Sequence, residues 1–392
     1  MTEFDIAVIG GGMAGASAAF ELAARYKVVV LEREADCGSH STGRSAASFT
    51  ENYGSPIIRR LAAASRSFFE FPPADLAPTP LVAPRGMMTI GRTDQLDRLA
   101  AELAHGREIV RDMHEMTPDE AVARVPILRR DYIAGAFFEP RSRDIDVHAT
   151  HQVFLKGLRA RRGTIITDAE VMALDRTRRT WRIETRAGRF AAPIIVDAAG
   201  AWAEEIAALA GARPVGLVPK RRTAFNVDLP AGLAVADWPL VNDVGEKFYF
   251  KPDAGRILVS PADATPSPPV DAQPEEVDLA IGVERLERAT TLKIGRLPHK
   301  WAGLRSFVAD GSPVVGWDDE VEGFFWLAAQ GGYGIKTAPA LARSTASLIA
   351  GNALPPNLRE LGLDERDLAP DRCRIASSTA HRSSRGDHDT LP

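Results

Sequence analysis

Six consecutive residues, Gly10-Gly-Gly-Met-Ala-Gly15, constrain this chain more than any other feature. They follow an apolar run over 5–9 and open an alanine-rich amphipathic stretch over 13–25. A second β-branched run over 27–31 then ends on Glu32. Strand, glycine turn, helix and strand make a βαβ unit, and the glycines satisfy G-x-G-x-x-G with an acidic residue at the end of the second strand. Gly10 permits the tight turn. Gly12 lets the backbone, with Met13 and Ala14 behind it, approach a pyrophosphate seated on the helix N-terminus, and Gly15 lets helix and strand pack closely. Glu32 can accept hydrogen bonds from ribose hydroxyls. The motif predicts a dinucleotide cofactor without separating FAD from NAD.

A chain of 392 residues exceeds what one hydrophobic core usually serves, so two domains are expected. The composition, 45% hydrophobic and 26% charged, is that of a globular protein, and a net charge of -4 gives no electrostatic case for nucleic acid; a small molecule is the expected partner. Two cysteines, Cys37 and Cys373, make neither a disulfide framework nor a zinc site, so no metal is expected and a reducing cytoplasm fits. The apolar run 6–9 is far too short to span a bilayer, and no basic leader precedes it, which again points to the cytoplasm. From 376 to 392 the chain is poor in apolar residues, so a disordered tail is expected, its Arg385-Gly386-Asp387 being a chance tripeptide.

A second strand, glycine and helix element lies near the other end: an apolar run over 323–329, Gln330-Gly-Gly-Tyr-Gly334, and a helical stretch over 337–349. Strand-like stretches at 164–174, 182–190 and 192–196, the last running into Asp197-Ala-Ala-Gly200, fit the middle of a doubly wound nucleotide domain. Residues 81–147 and 217–300 carry short alternating strands, such as 223–227, 248–251 and 256–260. The expected organisation is therefore a discontinuous nucleotide domain over 1–80, 148–216 and 301–370, into which 81–147 and 217–300 insert a mostly antiparallel α+β substrate domain.

The segment His40-Ser-Thr-Gly-Arg-Ser-Ala-Ala47 resembles the flavin-contacting stretch of the D-amino-acid oxidase superfamily. Asp197-Ala-Ala-Gly-Ala-Trp202, Pro219-Lys-Arg-Arg222, Phe248-Tyr-Phe-Lys-Pro252, Trp301-Ala-Gly-Leu-Arg-Ser306 and Gln330-Gly-Gly-Tyr-Gly334 follow in order. Together, over about residues 4–370, they resemble the D-arginine dehydrogenase type of D-amino-acid dehydrogenase. The resemblance implies an α/β fold with a Rossmann-like FAD-binding domain of the glutathione reductase type. It also implies FAD as cofactor, expected to be non-covalent because no cysteine lies in an attachment motif. Cofactor contacts are implied at Arg33, Ser41, Thr42, Gly43, Arg44, Ser45, Ala46, Ala47, Val171, Ala199, Gly200, Gly303, Arg305, Gly331, Gly332, Tyr333, Gly334 and Ile335, beside the motif residues Gly10 to Gly15 and Glu32.

Arg222 and Arg305 are candidates for gripping a carboxylate, because a planar guanidinium does so with two parallel hydrogen bonds and thereby orients the adjoining Cα. The resemblance implies that role for both. Arg221 should point to the opposite side of its strand. Tyr249 faces away from Phe248 and Phe250 in an alternating stretch, and the resemblance makes it a substrate hydrogen-bonding group. Tyr53, in a loop shaped by Gly54 and Pro56, resembles a lid tyrosine that excludes water. Lys336, at the start of the final helix, is placed to stabilise negative charge beside the backbone amides of 331–335. The substrate pocket is expected to include Ser48, Met87 and Gly332. Ser48 stands where the related enzyme has a histidine, and Met87 where it has a glutamate that pairs with a cationic side chain. Loss of that counter-charge disfavours a basic substrate and favours an apolar or small one.

The expected reaction is oxidative deamination of a D-amino acid, with the Cα hydrogen passing to flavin N5 as hydride and the imino acid hydrolysing to a 2-oxo acid and ammonia. A dehydrogenase is favoured over an oxidase, and the electron acceptor is left open among quinone, dye-like acceptor and oxygen. Two alternatives stand beside it: a secondary-amine oxidase acting on sarcosine-like substrates, and a non-catalytic subunit that only carries FAD.

Overall fold

The computed structural model describes residues 2–374, and the tail expected from 376 lies outside the described residues. A six-stranded sheet runs in the order Thr164–Ile166, Val28–Leu31, Ile6–Ile9, Ile194–Asp197, Phe324–Ala328, Val314–Trp317. Its first five strands are parallel and the last is antiparallel. Alternate residues divide between two cores, which is why these strands read as continuous apolar runs. Ile6, Val8, Val28 and Val30 pack toward the helices Met13–Leu22 and Gly334–Ile349. Ala7, Ile9, Val29 and Leu31 pack with Trp181, Ile183 and Phe190 of an antiparallel meander.

The Gly10 to Gly15 turn has the expected backbone. Gly10 adopts φ 101°, and a Cβ there would sit 2.6 Å from the carbonyl oxygen of Ala198. A Cβ on Gly15 would fall inside contact distance of the Gly10 carbonyl, so helix and strand touch backbone to backbone. Two expected strands are each divided. The stretch 164–174 breaks at Asp168, whose φ of 52° interrupts an extended chain; Thr164–Ile166 joins the parallel sheet and Val171–Thr177 the meander. The stretch 182–190 is a hairpin of Thr180–Thr185 and Gly188–Ala192.

An eight-stranded sheet runs in the order Lys300–Phe307, Val218–Val227, Arg256–Ser260, Tyr249–Asp253, Leu240–Asp243, Met87–Gly91, Gly135–Glu139, His114–Met116. It is antiparallel except where Leu240–Asp243 meets Met87–Gly91. Residues 301–307 were expected in the nucleotide domain, but Lys300–Phe307 pairs residue for residue with Val218–Phe225, so its backbone groups are satisfied in this second sheet. One face of the sheet buries Phe225, Phe250, Val241, Met88 and Phe138 with Leu279 and Leu286 of the helix Glu276–Ala289. The alternate residues Arg222, Ala224, Tyr249, Gly303 and Arg305 face a cleft shared with the six-stranded sheet.

Candidate active site

The cleft begins at the glycine turn and ends under the eight-stranded sheet. Gly10, Gly12, Met13, Ala14, Glu32, Arg33, Ser41, Thr42, Arg44, Ser45, Ala46, Val171, Ala199, Gly200, Gly303, Arg305, Gly331, Gly332, Gly334 and Ile335 all line it. Gly15 instead makes the backbone contact beneath the turn, and Gly43 donates its amide to the Gly38 carbonyl at 2.8 Å. The carbonyl of Ala47 accepts from Lys251 Nζ at 3.4 Å. Tyr333 is the N-cap of the final helix.

These residues suit a dinucleotide. Glu32 is buried, with Oε2 accepting from the Gly11 amide at 2.6 Å and Oε1 from the Glu34 amide at 2.9 Å. Each oxygen retains a lone pair for a hydroxyl. Thr42 Oγ1 accepts from the Met13 amide at 2.9 Å, which joins the 40–47 segment to the helix N-terminus. Further cleft residues carried no role in the sequence reading. The Trp202 and His40 rings meet at a tilt with centroids 4.7 Å apart, and the Arg33 guanidinium lies 4.8 Å from the Trp202 ring centroid. His40 opens the 40–47 segment and Trp202 closes Asp197-Ala-Ala-Gly-Ala-Trp202, which was the available signal. Ala169, Ile206 and Leu209 also line the cleft, and nothing local marks them.

Arg44 reaches out of the cleft to a strap. Its Nη1 donates to the carbonyls of Ala272 at 2.9 Å and Ala302 at 3.0 Å, and its Nη2 to Asp271 Oδ1 at 2.5 Å. Asp271→Ala is expected to speed cofactor release about 1.4- to 5-fold, because an ion pair with a partner 61% exposed is worth about 0.2–1 kcal/mol. Stopped-flow fluorescence of released flavin measures the rate, and an unchanged rate would show that the Arg44–Asp271 pair does not hold the cofactor.

At the far end Arg222 and Arg305 come together. The register sets Lys220 opposite Arg305 and Arg222 opposite Gly303, so the two arginines are diagonal neighbours on one face. Neither has an ion-pair partner among the described residues, and Arg222 Nε is buried without an acceptor. Burial, then the Arg305 charge, lowers the Arg222 pKa. Arg221, on the other face, is paired with Glu275 and Asp278. Burial alone would raise the Tyr249 hydroxyl, but Arg305, Arg222 and a hydrogen bond with Ser260 outweigh it and draw it below its ordinary range. The Tyr53 and Tyr333 rings meet at a tilt with centroids 5.5 Å apart, and the Tyr53 hydroxyl lies within electrostatic reach of Arg305 and Arg222. Gly332 approaches Arg305 so closely that a Cβ would lie 2.8 Å from Nη1.

Three expectations change. The Lys336 side chain is not directed into the cleft: it is 4% exposed and donates to the carbonyls of Thr50 at 2.9 Å and Tyr53 at 2.7 Å. Ser48 pairs with Asp144 in a small sheet, and Met87 is buried in the eight-stranded sheet; neither is part of the cleft lining. Position 87 is also not remote from a carboxylate, because its strand partner is Glu139, 1% exposed. That pairing crosses about fifty positions of chain, which no local pattern could disclose.

The sequence profile of the FAD dependent oxidoreductase family matches residues 5–348. Glycine oxidase of Geobacillus kaustophilus is 24% identical over 359 residues, covering 88% of this chain and 93% of that one. Human mitochondrial sarcosine dehydrogenase is 23% identical over 341 residues, covering 82% of this chain but 37% of the relative, so this chain spans well under half of that longer protein. Among solved structures, L-proline dehydrogenase from P. horikoshii has a TM-score of 0.80 at 22% identity, covering 96% of this chain and 99% of that one. L-amino acid deaminase from Proteus vulgaris has a TM-score of 0.77 at 17% identity, covering 95% and 97%. These structural likenesses show a shared fold.

Proposed function

The chain belongs to the DAO family of FAD-dependent oxidoreductases, and on that premise we propose that it deaminates D-amino acids with apolar or small side chains. The reading rests on one observation above all: two guanidiniums, Arg222 and Arg305, meet at the end of the cofactor cleft without an acidic partner among the described residues. A carboxylate is the ligand such a pair lacks, and gripping it from two sides fixes the position of the adjoining Cα. The six-stranded sheet would then serve as the cofactor domain and the eight-stranded sheet as the substrate domain.

The Gly10 to Gly15 turn, Glu32, the 41–46 segment and the backbone of 331–335 would hold FAD without a covalent bond. FAD, when bound, supplies the two-electron acceptor that amine oxidation requires. Tyr249 orients the substrate beside the arginines, and Tyr53 with Tyr333 closes the outer side against water. Solvent takes the ammonium proton, since among the described residues the carboxylates and imidazole that line the cleft, Glu32, Glu170, Glu205 and His40, all lie outside the eight-stranded sheet that carries the arginines. The product is an imino acid, which water hydrolyses to a 2-oxo acid and ammonium. A neutral side chain is favoured because Glu139, near Met87, already faces Lys336 and has no uncompensated charge for a cation. The D configuration is supported by the ordered motifs from His40 to Gly334, and reoxidation by an acceptor other than oxygen is favoured.

Anaerobic reduction of the FAD-loaded protein by paired D- and L-amino acids tests the proposal. D-alanine or D-leucine should bleach the flavin and D-arginine should do so poorly, with little peroxide when air is readmitted. Bleaching by L-enantiomers alone would overturn it. The names of the glycine and sarcosine relatives favour one second reading, oxidation of N-alkyl amino acids, which faster bleaching by N-methylglycine would establish.

A further inference from the structure

We propose that Lys336 is a positioning residue that acts through Tyr53, with Glu139 as its buried counter-charge; this rests on the amino-acid reading of the site. The loop over 50–54 joins the strand Ser48–Phe49 to the helix Pro56–Glu70 and carries Tyr53 beside Tyr333. Lys336 comes from a different element, the helix Gly334–Ile349, and its ammonium fills the inside of that loop. It donates to the carbonyl of Thr50 at 2.9 Å and to that of Tyr53 at 2.7 Å, so one cation ties the two ends of the turn together. The same Nζ lies 5.6 Å from the Tyr53 ring centroid and 5.4 Å from that of Tyr333, so it also bears on the aromatic pair.

A buried ammonium needs compensation, and Glu139 supplies it through Thr50. Thr50 Oγ1 donates to Glu139 Oε1 at 2.7 Å and accepts from the Asn52 amide at 3.1 Å. Glu139 Oε2 has no hydrogen-bond partner among the described residues, so the interaction between Glu139 and Lys336 is one of charge rather than of a direct hydrogen bond. Burial draws Lys336 down to about 7, opposed first by Glu139, while Arg59 lowers it further and Glu51 raises it. Burial pushes Glu139 up to about 7; the Thr50 hydrogen bond and then Lys336 oppose this, and Glu51 and Asp112 add to it. The hydrogen bonds that hold the loop are thus made by neither the carboxylate arginines nor the cofactor turn. Its function is to set where the Tyr53 ring stands over the substrate.

The test uses full-length, FAD-loaded protein with Lys336→Met and Lys336→Arg. Lys336→Met should raise KM for the amino acid about tenfold with kcat within about threefold of the parent, and Lys336→Arg should restore most of that loss. In a Tyr53→Phe background the same change should alter KM less than about twofold, because the two residues act as one unit. Hydrogen exchange should rise about tenfold at amides 51–55 and nowhere else, with FAD content unchanged. Additive effects with Tyr53→Phe, or unaltered exchange at 51–55, would overturn the proposal. Should Lys336→Met lose FAD, Glu139→Gln keeps the Thr50 hydrogen bond and removes only the charge. It should raise KM and loop exchange about threefold, and no change in either overturns the coupling. If the parent reduces its flavin with no amino or N-alkyl amino acid, the amino-acid reading fails; the exchange measurement still decides whether Lys336 holds the loop.

Discussion

Arg305→Met is expected to lower kcat/KM for the amino-acid substrate by about 10²- to 10³-fold while FAD stays bound, and Arg222→Met is expected to behave alike. Truncating one partner of a buried, hydrogen-bonded charge pair costs about 2–5 kcal/mol, and about 1.4 kcal/mol is a factor of ten. Here the lost partner would face the substrate carboxylate. Stability should move the other way. Both cations are unpaired among the described residues, and burial together with mutual repulsion already depresses the Arg222 pKa, so the folded protein carries a cost that a methionine relieves. The melting temperature of either variant without substrate should therefore be equal to or above that of the parent. Steady-state kinetics and thermal unfolding read the two effects separately. Arg305→Met turnover equal to the parent would remove the carboxylate clamp, and a large fall in melting temperature would show the arginine to be a structural residue.

Gly15→Ala is expected to abolish cofactor retention and destabilise the fold, whereas Gly12→Ala should weaken only FAD binding. The added methyl at position 15 meets the Gly10 carbonyl, which is backbone immediately after the buried strand Ile6–Ile9 and cannot swing aside. Overpacking of this kind costs about 1–3 kcal/mol, and more where the neighbour is rigid. A methyl at position 12 meets only Thr42 Oγ1 at 3.3 Å, a side-chain atom that can yield. Flavin content after gel filtration and the melting temperature distinguish them. Equal losses from both variants would show that the turn is sensitive everywhere and that the close approach at Gly15 is not its special constraint.

The cofactor half of the site was legible because each of its signals is local. Gly10, Gly12, Gly15 and Glu32 fall within one βαβ unit, where turn geometry and helix packing constrain residue type at fixed spacing. The 40–47 and 331–335 segments likewise adjoin strand ends that the apolar pattern located. The substrate half was legible residue by residue but not as an arrangement. Tyr249 and Arg222 could be assigned a face by alternation, and Arg221, paired with Asp278, lies on the other face as alternation requires. Lys336 was misplaced because helical position says where a side chain starts and not what a distant loop offers to it.

The sequence by itself determined the nucleotide turn, the two glycine-opened helices and the division of apolar from polar faces along each strand, since these follow from chain geometry within a few residues. Tertiary structure alone decided which strands lie side by side. It put Lys300–Phe307 into the eight-stranded sheet, brought Arg305 diagonal to Arg222, set Glu139 opposite Met87, and closed the loop over 50–54 on Lys336. Those are choices of register and neighbour between segments far apart in the chain. Backbone hydrogen bonding treats many such pairings alike, so the packing of the whole core selects among them.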